Sequence, residues 1–220
     1  MPFHPQGLAD LPAEIAIFPL TGALLLPGGR LPLNIFEPRY LALVEASLCA
    51  GRSFGMIQPD PGAPPGLGGP GLYRTGCLGR LSSFSETEDG RFLISLTGTI
   101  RFQVEEELPG RDGYRRIRPS YIPYAADLDR AAPPPDLGRP ALLDALRPYF
   151  RSKGIEANWE AIDRLDDLAL VTTLSMICPF GPAEKQALLE APDPAARGVM
   201  LIAMLRMDSL PGPGQDVRPS

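Results

Sequence analysis

The hydrophobic period changes once along the chain, and that change limits the folds open to it. Up to about residue 130 the apolar residues come in short extended runs or alternate with polar ones; beyond it they recur at three- and four-residue spacing. Strands first and helices second imply an α+β arrangement, a β-rich module followed by a helical bundle. At 220 residues the chain suits one large domain or two small ones, and 44% hydrophobic residues suffice for a core.

The first half punctuates its strands with turn residues. Ile15 to Leu20 and Leu31 to Phe36 are short apolar runs separated by the turn-forming Pro27-Gly28-Gly29. A helix is expected from Glu37-Pro38, because proline fits the first helical position and Tyr40, Leu41, Val44 and Leu48 share one face; Gly51 stops it. Ser53 to Gln58 is the next strand. Pro59 to Gly71 holds ten Pro or Gly residues in thirteen and reads as a mobile surface loop. Asp89-Gly90 marks a hairpin between Leu78–Ser85 and Arg91–Leu96. Ile100, Phe102 and Val104 alternate with polar neighbours as in a half-buried strand, and Tyr114 to Tyr124 is a last extended segment. In the second half Ala141 to Lys153 is a helix kinked at Pro148. Asn158 caps one running to about Cys178, Pro182 to Glu190 is a third, and Asp193-Pro194 opens a fourth. The expected organisation is a β-rich module over 13–130, a Pro-rich linker over 131–140, a helical bundle over 141–208 and a disordered tail over 209–220.

Charge and composition exclude several functions. A net charge of −5 argues against a general binder of nucleic acid or anionic membrane. Cys49, Cys77 and Cys178 are scattered and odd in number, so they read as buried thiols in a reducing compartment, with no disulfide framework. His4 is the only histidine, which leaves no multi-histidine metal site and argues against a Ser-His-Asp triad. No cofactor is expected. Met1 to Asp10 lacks a cationic stretch leading into an apolar one, and Leu168 to Phe180 is too short for a membrane span. A cytoplasmic protein with no membrane partner is expected.

The motifs fall in a recognisable order. They are Phe18-Pro19-Leu20, Pro27-Gly28, Ile35-Phe36-Glu37-Pro38-Arg39-Tyr40, Phe54-Gly55, Gly76-Cys77-Leu78-Gly79, Asp89-Gly90-Arg91 and Gly98-Thr99-Ile100-Arg101-Phe102, with Glu184-Lys185-Gln186, Leu188-Leu189-Glu190 and Arg197 in the helical half. Each alone is weak; the ordered set resembles the Lon-type N-terminal domain, the substrate-recognition part of the Lon proteases, over roughly Ala13 to Met207. The resemblance implies a PUA-like pseudo-barrel followed by helices. It also implies a non-catalytic module that binds unfolded or partly folded protein segments, as an adaptor for a separate protease or chaperone. No Gly-x-x-x-x-Gly-Lys-Ser/Thr loop occurs, and Lys153 and Lys185, the only lysines, lie in the helical half, so neither the ATPase nor the Ser-Lys protease chemistry of full-length Lon is expected.

Candidate site residues are set against plainer roles. Phe36, Arg39 and Tyr40 at the strand-to-helix junction are the candidate peptide-binding residues, since arginine and aromatics anchor interfaces. The competing reading is structural, with Glu37 favouring the helix N-terminus and Tyr40 opening its apolar face. Phe18, Phe36, Phe54, Phe92 and Phe102 read as core, and Trp159 as packing among the helices. Arg115, Arg116 and Arg118 beside Tyr114 suggest an RNA-binding PUA-like module as the alternative function, although cross-strand pairing with Glu105, Glu106 and Glu107 accounts for them more simply. Glu86, Glu88 and Asp89, and the pair Asp166-Asp167, read as solvated carboxylates rather than metal or acid/base sites. The Pro/Gly loop is a tolerated insertion or a recognition loop.

Overall fold

The computed structural model describes residues 5, 7–129 and 137–209; His4, most of the expected linker and nearly all of the expected tail lie outside them. Six strands, β1 (Ile15–Pro19), β2 (Arg30–Ile35), β3 (Ser53–Ile57), β4 (Thr75–Glu86), β5 (Phe92–Arg111) and β6 (Tyr114–Ser120), form one sheet in the order β2-β5-β4-β3-β1-β6. The far half of β5 also pairs with β6, which closes β5, β4, β3, β1 and β6 into a ring and leaves β2 as an outrigger on β5. Only β1 and β3 run parallel. Helix α1 (Pro38–Cys49) provides the connection that a parallel pair needs.

Alternation fills the ring. Ile15, Ile17, Ile57, Leu78, Ile100, Phe102 and Ile117 point inward and form one buried cluster with Tyr121. Each such side chain contributes about 1.5–3 kcal/mol by leaving water. Two of the motif glycines make room for Phe102. A Cβ on Gly55 would lie 2.9 Å from its ring, and one on Gly76 would meet both that ring and the Met56 carbonyl. Gly98 lies under the Leu26 carbonyl, where a Cβ would collide with the main chain.

Six α-helices are described, with α2 (Arg139–Lys153), α3 (Trp159–Arg164), α4 (Asp167–Ile177), α5 (Pro182–Glu190) and α6 (Pro194–Asp208) following α1. The expected caps are in place, with the Asn158 and Asp193 side chains accepting from Ala161 N–H and Ala196 N–H. The expected single helix from Asn158 to Cys178 is broken. Leu165 is extended, and Asp166 starts α4 afresh by accepting from the Ala169 N–H. Pro148 sits inside α2, which ends on a left-handed Gly154.

Contacts divide the described residues into two compact units, one of 5–129 with 172–190 and one of 137–171 with 191–209. The boundary expected near residue 130 marks where the chain leaves the first unit, but the second half of α4 and all of α5 pack with the sheet. Buried amides account for this. Gln58 donates to the Gln186 side chain and the Pro182 carbonyl, both at 3.1 Å, and Gln186 donates to the Thr75 carbonyl at 3.2 Å. Arg101 of β5 forms a bidentate pair with Asp127 and donates to the Leu189 carbonyl at 3.1 Å. In the second unit α2 packs on α6, Leu142 and Leu146 are buried on the one and Leu201 and Leu205 on the other, and Lys153 pairs with Asp208 at 2.9 Å.

Candidate functional site

The outrigger β2 follows from its own sequence. Pro32 lacks an N–H and is tolerated where one side of a strand has no neighbour. Its partner β5 sets the register, with Asn34 opposite Leu93 and Pro32 opposite Ser95, and β4 adds Ser85 and Ser83 on the far side. These six residues share the outer face and line a shallow trough of about 530 Å³. The serines are too short to cover Leu93, which stays 46% exposed. Phe84, 40% exposed, leans edge-on against Phe92 at 5.0 Å, and Phe36, 61% exposed, lies beneath the Arg91 guanidinium at 5.6 Å. This end of the sheet therefore combines a main-chain edge unpaired among the described residues with three exposed apolar side chains, Phe84 being on the face opposite Leu93.

Phe36 is the exception among the phenylalanines expected in the core; Phe18, Phe54, Phe92 and Phe102 are buried. It lies just past the end of β2, where the chain turns into α1. Nor does the structure keep Phe36, Arg39 and Tyr40 together. Arg39 and Tyr40 line a separate cleft of about 180 Å³ between α1, the 59–71 loop and the β5–β6 turn. Arg39 bonds to Glu37 through Nε and Nη2 at 3.0 and 2.8 Å, and its guanidinium lies 4.5 Å above the Tyr40 ring. Tyr40, 6% exposed, packs on Phe18 with ring centroids 4.0 Å apart. Burial raises its hydroxyl above the ordinary tyrosine pKa, opposed in part by Arg39.

The Pro/Gly loop is pinned, contrary to the mobile loop expected. Arg115 donates to both Glu107 oxygens at 2.7 and 2.9 Å and to the Pro70 carbonyl at 2.8 Å, while Glu107 accepts from the Leu67 and Gly68 amides. Burial opposes ionisation of Glu107, yet the Arg115 hydrogen bonds and charge, with the two amides, hold its carboxyl below the usual glutamate range. Gly68 is required here by space, since a Cβ would lie 2.7 Å from Arg115 Cγ. No sequence signal links residues 66–70 to a pair forty residues away, so this role of Glu107 was not legible.

The other candidates find ordinary partners. Arg116 pairs with Glu14, and Arg118 with Glu106, directly opposite it in the sheet. Asp89 is bonded to Thr87 and Arg91; Asp166 caps α4, and Asp167 pairs with Arg139. No group of three metal-ligating side chains occurs among the described residues. Trp159 packs at a tilt against Phe150, with centroids 6.1 Å apart, and lies under Arg147 at 4.4 Å. Cys77 and Cys178 are buried as expected, but Cys49 is exposed at the end of α1. Among the described residues no helix is long and apolar enough to cross a membrane.

The sequence model of the ATP-dependent protease La (LON) substrate-binding domain matches residues 14–207. The chain belongs to this family. The Lon N-terminal domain protein from Xanthomonas campestris, 26% identical, superposes with a TM-score of 0.61 over 86% of this chain and 97% of that one. The N-terminal domain of the Mycobacterium avium complex Lon protease, 18% identical, shares the fold with a TM-score of 0.61 over 90% of this chain and all of that one. Among full-length relatives, the Lon protease of Salinispora arenicola is 25% identical over 197 residues, 88% of this chain and 24% of that protein. Lon protease 2 of Myxococcus xanthus is 27% identical over 111 residues, 46% of this chain and 13% of that protein. The chain thus spans between about an eighth and a quarter of these proteases, and what matches in the family is the substrate-binding domain. The motif set along Phe18 to Phe102 identified the family correctly, and with it the α+β fold.

Proposed function

We propose that this Lon substrate-binding domain is a non-catalytic recognition module that receives an extended segment of an unfolded or partly folded protein as an added strand along β2. The observation that carries the reading is the edge of β2, unpaired among the described residues, beside the trough floored by Leu93, with the exposed Phe36 just past the end of the strand. An extended segment supplies main-chain groups to the edge and alternate side chains to the trough, so it binds without a fixed sequence. Among the three candidate residues, Phe36 belongs to this surface. The family supports a protein client; an adaptor role beside a separate protease or chaperone, in the cytoplasm, extends the same reading.

The test uses a fluorescent peptide of alternating valine and serine, and the same peptide N-methylated on alternate residues. The unmodified peptide is expected to bind and the N-methylated one, stripped of strand donors, to lose at least about tenfold. Leu93→Asp is expected to weaken binding roughly fivefold, because covering the exposed half of a leucine contributes about 1 kcal/mol. Equal affinity for both peptides would refute strand addition.

A further inference from the structure

We propose that the cleft between α1, the 59–71 loop and the β5–β6 turn is a socket for a peptide carboxylate, gripped by Arg39 and the hydroxyls of Tyr40 and Tyr114. It shares no lining residue with the β2 trough and goes beyond the strand-addition reading.

Three observations meet there. First, Tyr40 and Tyr114 are 6% and 5% exposed, both line the cleft, and neither hydroxyl has a hydrogen-bond partner among the described residues. Neither is among the sealed-off buried polar atoms, so both reach solvent. Tyrosine hydroxyls on rings this far inside a protein ordinarily have a protein partner; these two are instead open to whatever enters the cleft, water in the free protein and an acceptor atom of a bound ligand. Second, the lining holds two guanidiniums and no carboxylate. Glu107 is saturated by Arg115 and two amides, and Arg39 spends Nε and Nη2 on Glu37, leaving the Nη1 N–H groups without a partner among the described residues. The cleft therefore offers donors and asks for an oxyanion acceptor. Burial keeps the Tyr40 hydroxyl protonated, and so a donor, across the neutral range.

Third, size and surroundings select the oxyanion. About 180 Å³ is room for roughly six waters, which fits a carboxylate with the end of its residue. Pro19, Pro59 and Pro70 supply apolar walls for the attached chain. A nucleic-acid phosphate would need a basic track leading away from the cleft, and the nearby Arg116 and Arg118 are neutralised by Glu14 and Glu106.

The experiment titrates the full chain with N-acetylated alanyl-alanyl-leucine bearing a free C-terminal carboxylate, following tyrosine and arginine side-chain resonances. Three further probes are its C-terminal amide, an amidated peptide with one internal glutamate, and inorganic phosphate. The free acid is expected to shift the Arg39, Tyr40 and Tyr114 signals and to bind at least tenfold tighter than the amide. Tyr40→Phe and Tyr114→Phe, which keep the rings, are each expected to weaken it roughly three- to tenfold, and Arg39→Gln, at a half-exposed site, at least about tenfold. Binding of the internal-glutamate peptide at the same residues would assign the socket to side-chain carboxylates as well as C-termini. The proposal is overturned if acid and amide bind alike, if nothing binds, or if phosphate binds these residues as tightly as the peptide. The socket is read at Arg39, Tyr40 and Tyr114, none of which lines the β2 trough, so this site and the β2 edge fail or succeed separately; acid-specific shifts confined to Asn34 and Leu93 would place the peptide on the edge and overturn the socket.

Discussion

Replacing Arg101 with methionine tests what holds α5 to the sheet. Arg101 and Asp127 have side chains 3% and 10% exposed. The guanidinium gives Asp127 two bonds at 2.9 and 2.8 Å, gives the Leu189 carbonyl one at 3.1 Å, and lies 4.3 Å over the Tyr124 ring. Methionine fills much of the stem volume but, among the described residues, leaves Asp127 the Arg101 backbone N–H alone, at 3.0 Å, and strips Leu189 of that donor. Breaking a buried pair from one side costs about 3–5 kcal/mol, because a charge stays behind without its partner. At about 2–4 °C per kcal/mol for a chain of this size, that is a fall of about 6–20 °C in melting temperature. Hydrogen exchange resolved by segment is the sharper assay, since the chain has two units. Amides of β4, β5 and α5 are expected to exchange about a hundredfold faster or more, while α2 and α6 change little. Adding Asp127→Leu is expected to recover at least about 1 kcal/mol by removing the stranded carboxylate. A loss below about 1 kcal/mol, or an effect confined to residues 122–128, would show that water serves Asp127 and that the pair does not hold α5.

Three further outcomes follow from the geometry. Glu107 has a folded pKa below its unfolded value near 4.3, so its contribution is complete above that value and is lost as pH falls through the folded pKa. Exchange at the Leu67 and Gly68 amides should accelerate selectively on acidification, and Glu107→Gln should mimic this at neutral pH; amides indifferent to both would refute the anchoring. Cys178, pushed up to about 12 by burial against a smaller opposing effect of Lys185, and buried Cys77 should resist alkylation, so the native protein should titrate one thiol, Cys49, and the unfolded protein three. Gly98→Ala should destabilise the first unit by about 3 kcal/mol or more through collision with the Leu26 carbonyl; a chemical melt within 1 kcal/mol of the parent would show that the loop yields.

What could be read in advance depended on how local its cause was. Helix α1 was legible because Pro38 and the Tyr40, Val44 face lie within one segment. Strand β5 was not legible as a single twenty-residue strand, since Gly98 and Pro109-Gly110 look like breaks. Gly98 is there for the Leu26 carbonyl, and Pro109-Gly110 falls in a register shift between Leu108 and Arg111. The break between α3 and α4 interrupts an apolar period that runs straight through it. Of the candidate site, the junction residues could be named but not sorted; only folding shows that Phe36 faces solvent beside Arg91 while Tyr40 turns inward onto Phe18. The pinning of the 59–71 loop depends on Glu107 and Arg115, beyond the reach of any local pattern.

The ring closure also sets a timetable for synthesis. β1 emerges first, and its parallel partner β3 follows within forty residues, but its other partner, β6, pairs Ile15 with Ile117. A chain leaving the ribosome therefore carries β1 with one edge open until about a hundred more residues have appeared, and the barrel cannot shut before then. For that interval a substrate-binding domain exposes the very strand that its finished ring encloses.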